Sequence, residues 1–73
     1  MQRSLTAIIE KEEEMYVATC PEIDIASQGN SIEEAKKNLQ EAIELFFETA
    51  SETEVTRRLH NDIFITRLTI EVG

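Results

Sequence analysis

The fold is decided by residues 16–43, which read YVATCPEIDIASQGNSIEEAKKNLQEAI. The residues from Tyr16 to Cys20 have a strand pattern that ends before Pro21, because proline cannot donate a hydrogen bond to a sheet and restricts the backbone of the residue before it. The next strand along the chain is predicted over about 23–28. Ser31 and Glu34 then have the spacing of a capping box, in which each side chain satisfies a backbone N–H at the start of a helix. The stretch therefore predicts strand, turn, strand and helix.

The helix is predicted over about 32–50. Apolar residues recur there at steps of three and four, and charged residues occupy most of the other positions. One face should therefore pack against a sheet. Leu45 and Phe47 lie off the central apolar stripe, which indicates either a wide contact with the sheet or a contact with a second subunit.

A further strand is predicted on the N-terminal side of this stretch. Residues of about 3–12 alternate in a pattern typical of strands and should form a hairpin with a strand at about 14–20. Three acidic side chains interrupt the pattern between them: Glu12, Glu13 and Glu14. No glycine is available for a tight two-residue turn, so we expect a longer, solvated loop.

Residues 51–62 are predicted to form a short helix or an irregular connector, with a second capping-box spacing at their start. Residues 63–72 have the strongest strand pattern in the chain. One side of that strand would carry Phe64, Thr66, Leu68, Ile70 and Val72. The other side would gain apolar surface from Ile63 and Ile65.

The element order predicts an α+β fold, β-β-β-α-β, with a single domain over residues 1–73. Three strands joined by short turns should form an antiparallel meander, and the last strand should return parallel by a right-handed crossover. We therefore expect a mixed four-stranded sheet in the order 3-2-1-4 with one long helix on one face. One helix leaves the other sheet face uncovered, which predicts a homodimer or higher oligomer.

Composition limits the classes of function. Fifteen acidic against seven basic residues give a net charge of −8, which argues against direct nucleic-acid binding and favours a basic protein partner. The single cysteine, Cys20, excludes an intrachain disulfide. No signal peptide or membrane-spanning segment is recognised, so we expect a cytoplasmic protein with no membrane association.

Catalytic chemistry has weak support in the sequence. A metal-dependent nuclease would need converging carboxylates, for which the positions suggest Glu10, Glu22, Asp24 and Asp62. No metal-ligand motif frames them, and His60 lacks the companions that a catalytic or metal-binding histidine needs. We therefore expect no enzymatic activity, no metal and no cofactor.

The segment from Tyr16 to Ala35, continuing to Ile43, resembles the HicB-like antitoxin family. The likeness joins a tyrosine-bearing strand, a Pro-Glu turn, a Ser-Gln-Gly strand end and a helix that opens Ser-Ile-Glu-Glu-Ala. It implies a truncated RNase H-like fold and a HicA-type toxin as partner, a small basic protein that cleaves mRNA. Two features differ from many members: no DNA-binding segment is expected before Gly73, and Ile23-Asp-Ile-Ala replaces the commoner Leu-Pro-Gly-Cys, as in solitary HicB-like domains.

The leading hypothesis is therefore an antitoxin-like module that neutralises a small basic HicA-type toxin. An orphan, homo-oligomeric HicB-like interaction domain is the alternative, and a metal-dependent nuclease is the third. The predicted partner or oligomer interface consists of Glu12, Glu13, Glu14, Leu45, Phe47, Ile63, Ile65 and Arg67.

Overall fold

A computed structural model describes residues 3–73. Its elements are β1 (Ile8–Glu12), β2 (Met15–Cys20), β3 (Ile25–Gly29), α1 (Ile32–Thr49) and α2 (Glu52–Arg58). The strands form one antiparallel sheet in the order β1-β2-β3, and α1 packs on β3 and β2 more closely than on β1. Within the described range no helix is both long and apolar enough to cross a membrane.

The predicted four-stranded sheet in the order 3-2-1-4 is wrong. Over residues 3–73 the sheet has three strands, and residues 63–72 do not pair with it. The alternation of β-branched residues reports a local preference for extended backbone, whereas a strand also needs a neighbouring edge with which to exchange hydrogen bonds. That neighbour is absent beside residues 63–72 of this chain.

The hairpin between β1 and β2 is tighter than predicted. Glu12 pairs with Met15, so the loop consists of Glu13 and Glu14 alone. Glu13 takes the positive φ (55°) that a two-residue hairpin loop demands. The expectation of a longer loop was wrong because sheet twist favours the short connection even where no glycine is present, at a cost of roughly 1–2 kcal/mol for a left-handed residue.

Strand β1 is shorter than its sequence pattern. Its ladder begins at Ile8, which lies opposite Thr19, and β2 ends one residue later at Cys20 before the chain turns at Pro21. Ala7 lies opposite Cys20, the last residue of β2, and residues 3–6 have no β2 backbone to pair with. They continue beside α1, where Leu5 packs against the core.

The core between sheet and helix is made of small and medium side chains. Its buried members are Ala18, Cys20, Ile23, Ala35 and Leu39. Small residues on both layers let α1 approach the sheet closely, as the surroundings of Gly29 show. A β-carbon placed on Gly29 would lie 2.6 Å from the backbone nitrogen of Ala35 and 2.8 Å from the carbonyl carbon of Glu34.

The start of α1 is fixed by the predicted cap in a modified form. The Ser31 hydroxyl accepts a hydrogen bond from the Glu34 amide at 3.0 Å. The Glu34 carboxylate accepts from the amide of Asn30 at 2.9 Å, one residue earlier than a regular capping box. Ser51 caps α2 in the same way, with its hydroxyl accepting from the Glu54 amide at 3.1 Å.

We predict that Gly29→Ala destabilises the fold by about 1–3 kcal/mol, because the added methyl group would press on helix backbone that has no alternative rotamer. Gly73→Ala is the matched control, since nothing lies within 4 Å of a β-carbon there. Urea denaturation followed by circular dichroism measures both. Equal stability of the two variants would show that α1 does not approach Gly29 so closely.

Candidate functional site

The Pro21–Asp24 turn is where distant parts of the chain meet. It joins β2 to β3, and its sharp reversal places Asp24 at a positive φ of 56°. The turn also carries the buried charged side chain Glu22, which is 9 % exposed. A buried carboxylate needs hydrogen-bond partners to offset its desolvation, so its surroundings show what it does.

The Glu22 carboxylate binds the segment that precedes β1. The Thr6 amide donates to its two oxygens at 3.0 and 3.1 Å, and the Thr6 hydroxyl donates at 2.6 Å. The Cys20 thiol donates to the same carboxylate at 3.3 Å. These contacts take the place of the ladder that residues 3–7 lack.

The same contacts set the protonation of both groups. Burial acts to raise the pKa of Glu22, but the hydrogen bonds that the carboxylate accepts from Thr6, from its own backbone and from Cys20 together outweigh burial and hold that pKa below its ordinary value. Burial and the hydrogen bond to Glu22 raise the pKa of the Cys20 thiol. Glu22 is therefore anionic and Cys20 is protonated at neutral pH, which is the wrong state for a general acid and for a nucleophile, respectively.

The backbone of the turn binds the segment around α2. The Arg58 guanidinium donates to the carbonyls of Ile23 and Asp24, each at 3.0 Å. The His60 amide donates to the carbonyl of Glu22 at 2.6 Å. The Arg58 guanidinium also lies 5.3 Å from the centre of the Phe46 ring, a cation–π contact that ties α2 to the end of α1.

The four carboxylates considered for a nuclease are not brought together. Over residues 3–73 no three His, Cys, Asp or Glu side chains are grouped so as to hold a metal ion. The Glu22 carboxylate binds Thr6, whereas Glu10, Asp24 and Asp62 are exposed. The Glu22 arrangement is chemically a structural clamp, formed by a carboxylate whose hydrogen bonds hold two chain segments together.

The predicted acidic interface residues lie at the opposite end of the sheet from this clamp. Glu12, Glu13 and Glu14 are exposed at the hairpin tip. The register pairs Tyr16, just after that tip, with Gly29, and Gly29 contacts the first turn of α1. Two further exposed acids lie on that helical turn, and we call the five residues the acidic end: Glu12, Glu13, Glu14, Glu33 and Glu34.

The apolar interface residues are divided between α1 and the last segment. Leu45 is 58 % exposed, whereas Phe47 is half-buried and stacks edge-to-face on Phe46, with ring centres 5.4 Å apart. Ile63 is half-buried, and Ile65 and Arg67 are exposed. The structure thus does not assemble the predicted residues into one surface.

An open groove runs between residues 3–7 and α1. Its apolar lining includes Leu5, Leu39, Ile43 and Phe47, and its rim carries both acidic and basic side chains. The groove exists because α1 lies over β2 and β3 and leaves the β1 side of the helix without a sheet strand beneath it.

Sequence reasoning missed Thr6, Arg58 and the structural role of Glu22. The Pro-Glu turn was recognised, but nothing in local spacing indicates a partner sixteen residues earlier or a guanidinium thirty-five residues later. The available signal was a carboxylate between two apolar residues of the turn region, Cys20 and Ile23, which favours burial.

Comparison with known proteins places the chain among small relatives. A UPF0150 protein of Synechocystis sp. is 52 % identical over 50 residues, which cover 66 % of this chain and 69 % of that protein. The chain belongs to the UPF0150 family. A UPF0150 protein of Helicobacter pylori is 49 % identical over 43 residues, which cover 58 % of this chain and 60 % of that protein. No family model and no solved structure matches this UPF0150 chain significantly.

We predict that Glu22→Gln lowers the free energy of unfolding by about 1–3 kcal/mol at pH 7, since an amide cannot accept all the hydrogen bonds that the carboxylate takes. The lowered pKa of Glu22 contributes stability that is present above the ordinary value of 4.5 and is lost as pH falls through the folded-state value.

The gap between wild type and Glu22→Gln should therefore shrink below pH 4.5. Urea denaturation at several pH values measures it. Glu41→Gln, at an exposed position of α1, is the control and should change little. A gap that stays constant down to pH 3 or widens on acidification would contradict the clamp.

We also predict that Arg58→Ala lowers stability by about 1 kcal/mol, a value that discounts its charged hydrogen bonds for partial exposure. Arg57→Ala is the matched control, because Arg57 is 71 % exposed and pairs only with Glu54 of its own helix in the described contacts. The melting temperature should fall by several degrees for Arg58→Ala alone. Equal losses of stability in the two variants would show that the hydrogen bonds of Arg58 to the turn carbonyls do not stabilise the fold.

Proposed function

We propose that this UPF0150 protein is an antitoxin-like module that binds and neutralises a small basic HicA-type toxin in the cytoplasm. The observation that carries the proposal is the stretch from Tyr16 to Ile43, whose HicB-like sequence folds as β2, the Pro-Glu turn, β3 and the first two thirds of α1. The two relatives are UPF0150 proteins, and membership of that family is compatible with an antitoxin-like module.

Charge gives the proposal its physical basis. The net charge of −8 creates a field that attracts a basic protein and raises its association rate at low salt. The acidic end places five carboxylates at one end of the sheet, on the hairpin tip and on the first turn of α1. A basic toxin that docks there would have its phosphate-binding cations occupied by protein carboxylates.

Co-expression tests the function directly. We expect a small basic protein to be encoded next to this chain and to arrest growth when it is expressed alone. The UPF0150 protein should restore growth and form a complex with it that survives purification. Cleavage of a purified mRNA by the toxin should stop on addition of the protein. Growth arrest that persists despite soluble UPF0150 protein would refute the proposal.

We predict that Glu12→Lys, Glu13→Lys and Glu14→Lys together reduce the association rate with a basic toxin by about tenfold or more at low ionic strength. The control combines Glu41→Lys, Glu52→Lys and Asp62→Lys, which changes the net charge equally at exposed positions outside the acidic end. Stopped-flow or surface plasmon resonance measurements compare them. Equal losses would show that net charge, rather than the acidic end, attracts the partner.

The second candidate is an orphan homo-oligomeric interaction domain without a toxin partner. Residues 63–72 favour it, because their large apolar side chains beyond Ile63 are 58–90 % exposed in the single chain, and such a row of apolar side chains is typical of a surface that another chain covers. A stable homo-oligomer that binds no basic protein encoded nearby would select this candidate over the antitoxin.

A further inference from the structure

Residues 63–72, which we call the arm, combine strand chemistry with unusual exposure. Phe64, Leu68, Ile70 and Val72 are 69–90 % exposed, and their spacing places them on one side of a strand. A folded monomer rarely presents such a row to water. The arm follows His60, whose amide is bound to the Glu22 carbonyl, so its starting point is fixed by the clamp.

The dimensions of the chain show that the arm extends away from the rest of the fold. The radius of gyration is 14.3 Å, and the longest extent is 49 Å. A compact domain of this length has a radius of gyration of about 11 Å. The arm therefore leaves its apolar side chains outside the layer formed by its own sheet and helix.

The same chain carries an acceptor for such an arm. β1 is an edge strand, and with residues 3–7 it presents a free backbone edge over residues 3–12. The arm is the same length, ten residues or about 33 Å when extended. The groove beside that edge, under the uncovered side of α1, is lined by Leu5, Ile43 and Phe47.

The two faces of the arm match the two sides of this edge. Ile9 and Leu5 face the helix layer and pack on the core, so Glu10 and Glu12 lie on the outer face of β1. An arm added with its Phe64 and Leu68 side in the groove would place Arg67 on the outer face, the same face as those two carboxylates.

We propose that two copies of this chain exchange arms, each arm adding as a strand to the 3–12 edge of the other copy. Each chain carries both an arm and a 3–12 edge. A two-fold axis therefore pairs each arm with the edge of the other copy, and the resulting dimer has no unpaired arm or edge that could bind a third copy. The pairing differs from a fourth strand within one chain, since each three-stranded sheet is completed by its partner. It goes beyond the proposed function and holds whether or not a toxin binds.

The response to ionic strength distinguishes self-association from toxin binding. Two copies of charge −8 repel each other, so an association carried by apolar contacts and backbone hydrogen bonds should strengthen as salt screens the repulsion. Binding to a basic toxin should weaken under the same conditions. The two associations of this protein therefore respond oppositely to ionic strength.

Light scattering on the full chain after size exclusion tests the exchange. We expect twice the chain mass of 8.3 kDa, with a dissociation constant that falls between low and moderate salt. Leu68→Asp should raise that constant about 100-fold or more, because a carboxylate would enter the groove. Thr69→Asp, on the opposite face of the arm, is the matched control and should change it by about threefold at most.

Circular dichroism should show Leu68→Asp folded, since Leu68 is 79 % exposed in the single chain. If that variant unfolds, the exchange can still be tested on the wild-type protein. In a mixture of differently isotope-labelled copies, nuclear Overhauser effects between residues 63–72 and 3–12 should appear between copies. A monomeric wild type, a dimer insensitive to Leu68→Asp, or contacts found only within one copy would overturn the proposal.

Discussion

The hydrogen bonds of the Glu22 carboxylate are the constraint on which the rest of the fold depends. They bring the segment before β1 to the Pro21–Asp24 turn, and the carbonyls of that turn bind Arg58 and His60 from beyond α1. An unpaired carboxylate at this depth would cost several kcal/mol. The same burial makes the protein donors to this carboxylate, the Thr6 amide and hydroxyl and the Cys20 thiol, necessary for its stability.

A thin core explains why such a clamp is needed. The fully buried side chains are few and mostly small, which allows α1 to lie close on Gly29 but gives little apolar area to stabilise the fold. The close approach of α1 to the sheet therefore requires small core residues, and these residues give a core with little buried area. The larger apolar residues lie at the margins, in the groove and on the arm, where one chain alone does not cover them.

Local signals predicted most of the secondary structure, and non-local contacts account for the errors. Pro21, Ser31 and the apolar spacing of α1 act through neighbouring backbone, so the strand, turn and helix order could be predicted from sequence. Residues 63–72 have equally strong strand chemistry, but pairing depends on a distant edge that no local pattern reports. The partners of Glu22 were missed for the same reason.

The placement of the two predicted interaction surfaces makes them compatible. Strand β2 starts beside the acidic end at Met15 and finishes at the clamp, where the arm begins. The acidic end acts at long range through charge, whereas an arm acts only on contact, through backbone pairing and apolar burial. Glu12 belongs to both surfaces, since it ends β1, whereas the other four residues of the acidic end lie outside the 3–12 edge. Pairing at that edge therefore uses one of the five acidic-end residues and leaves the rest to a basic partner.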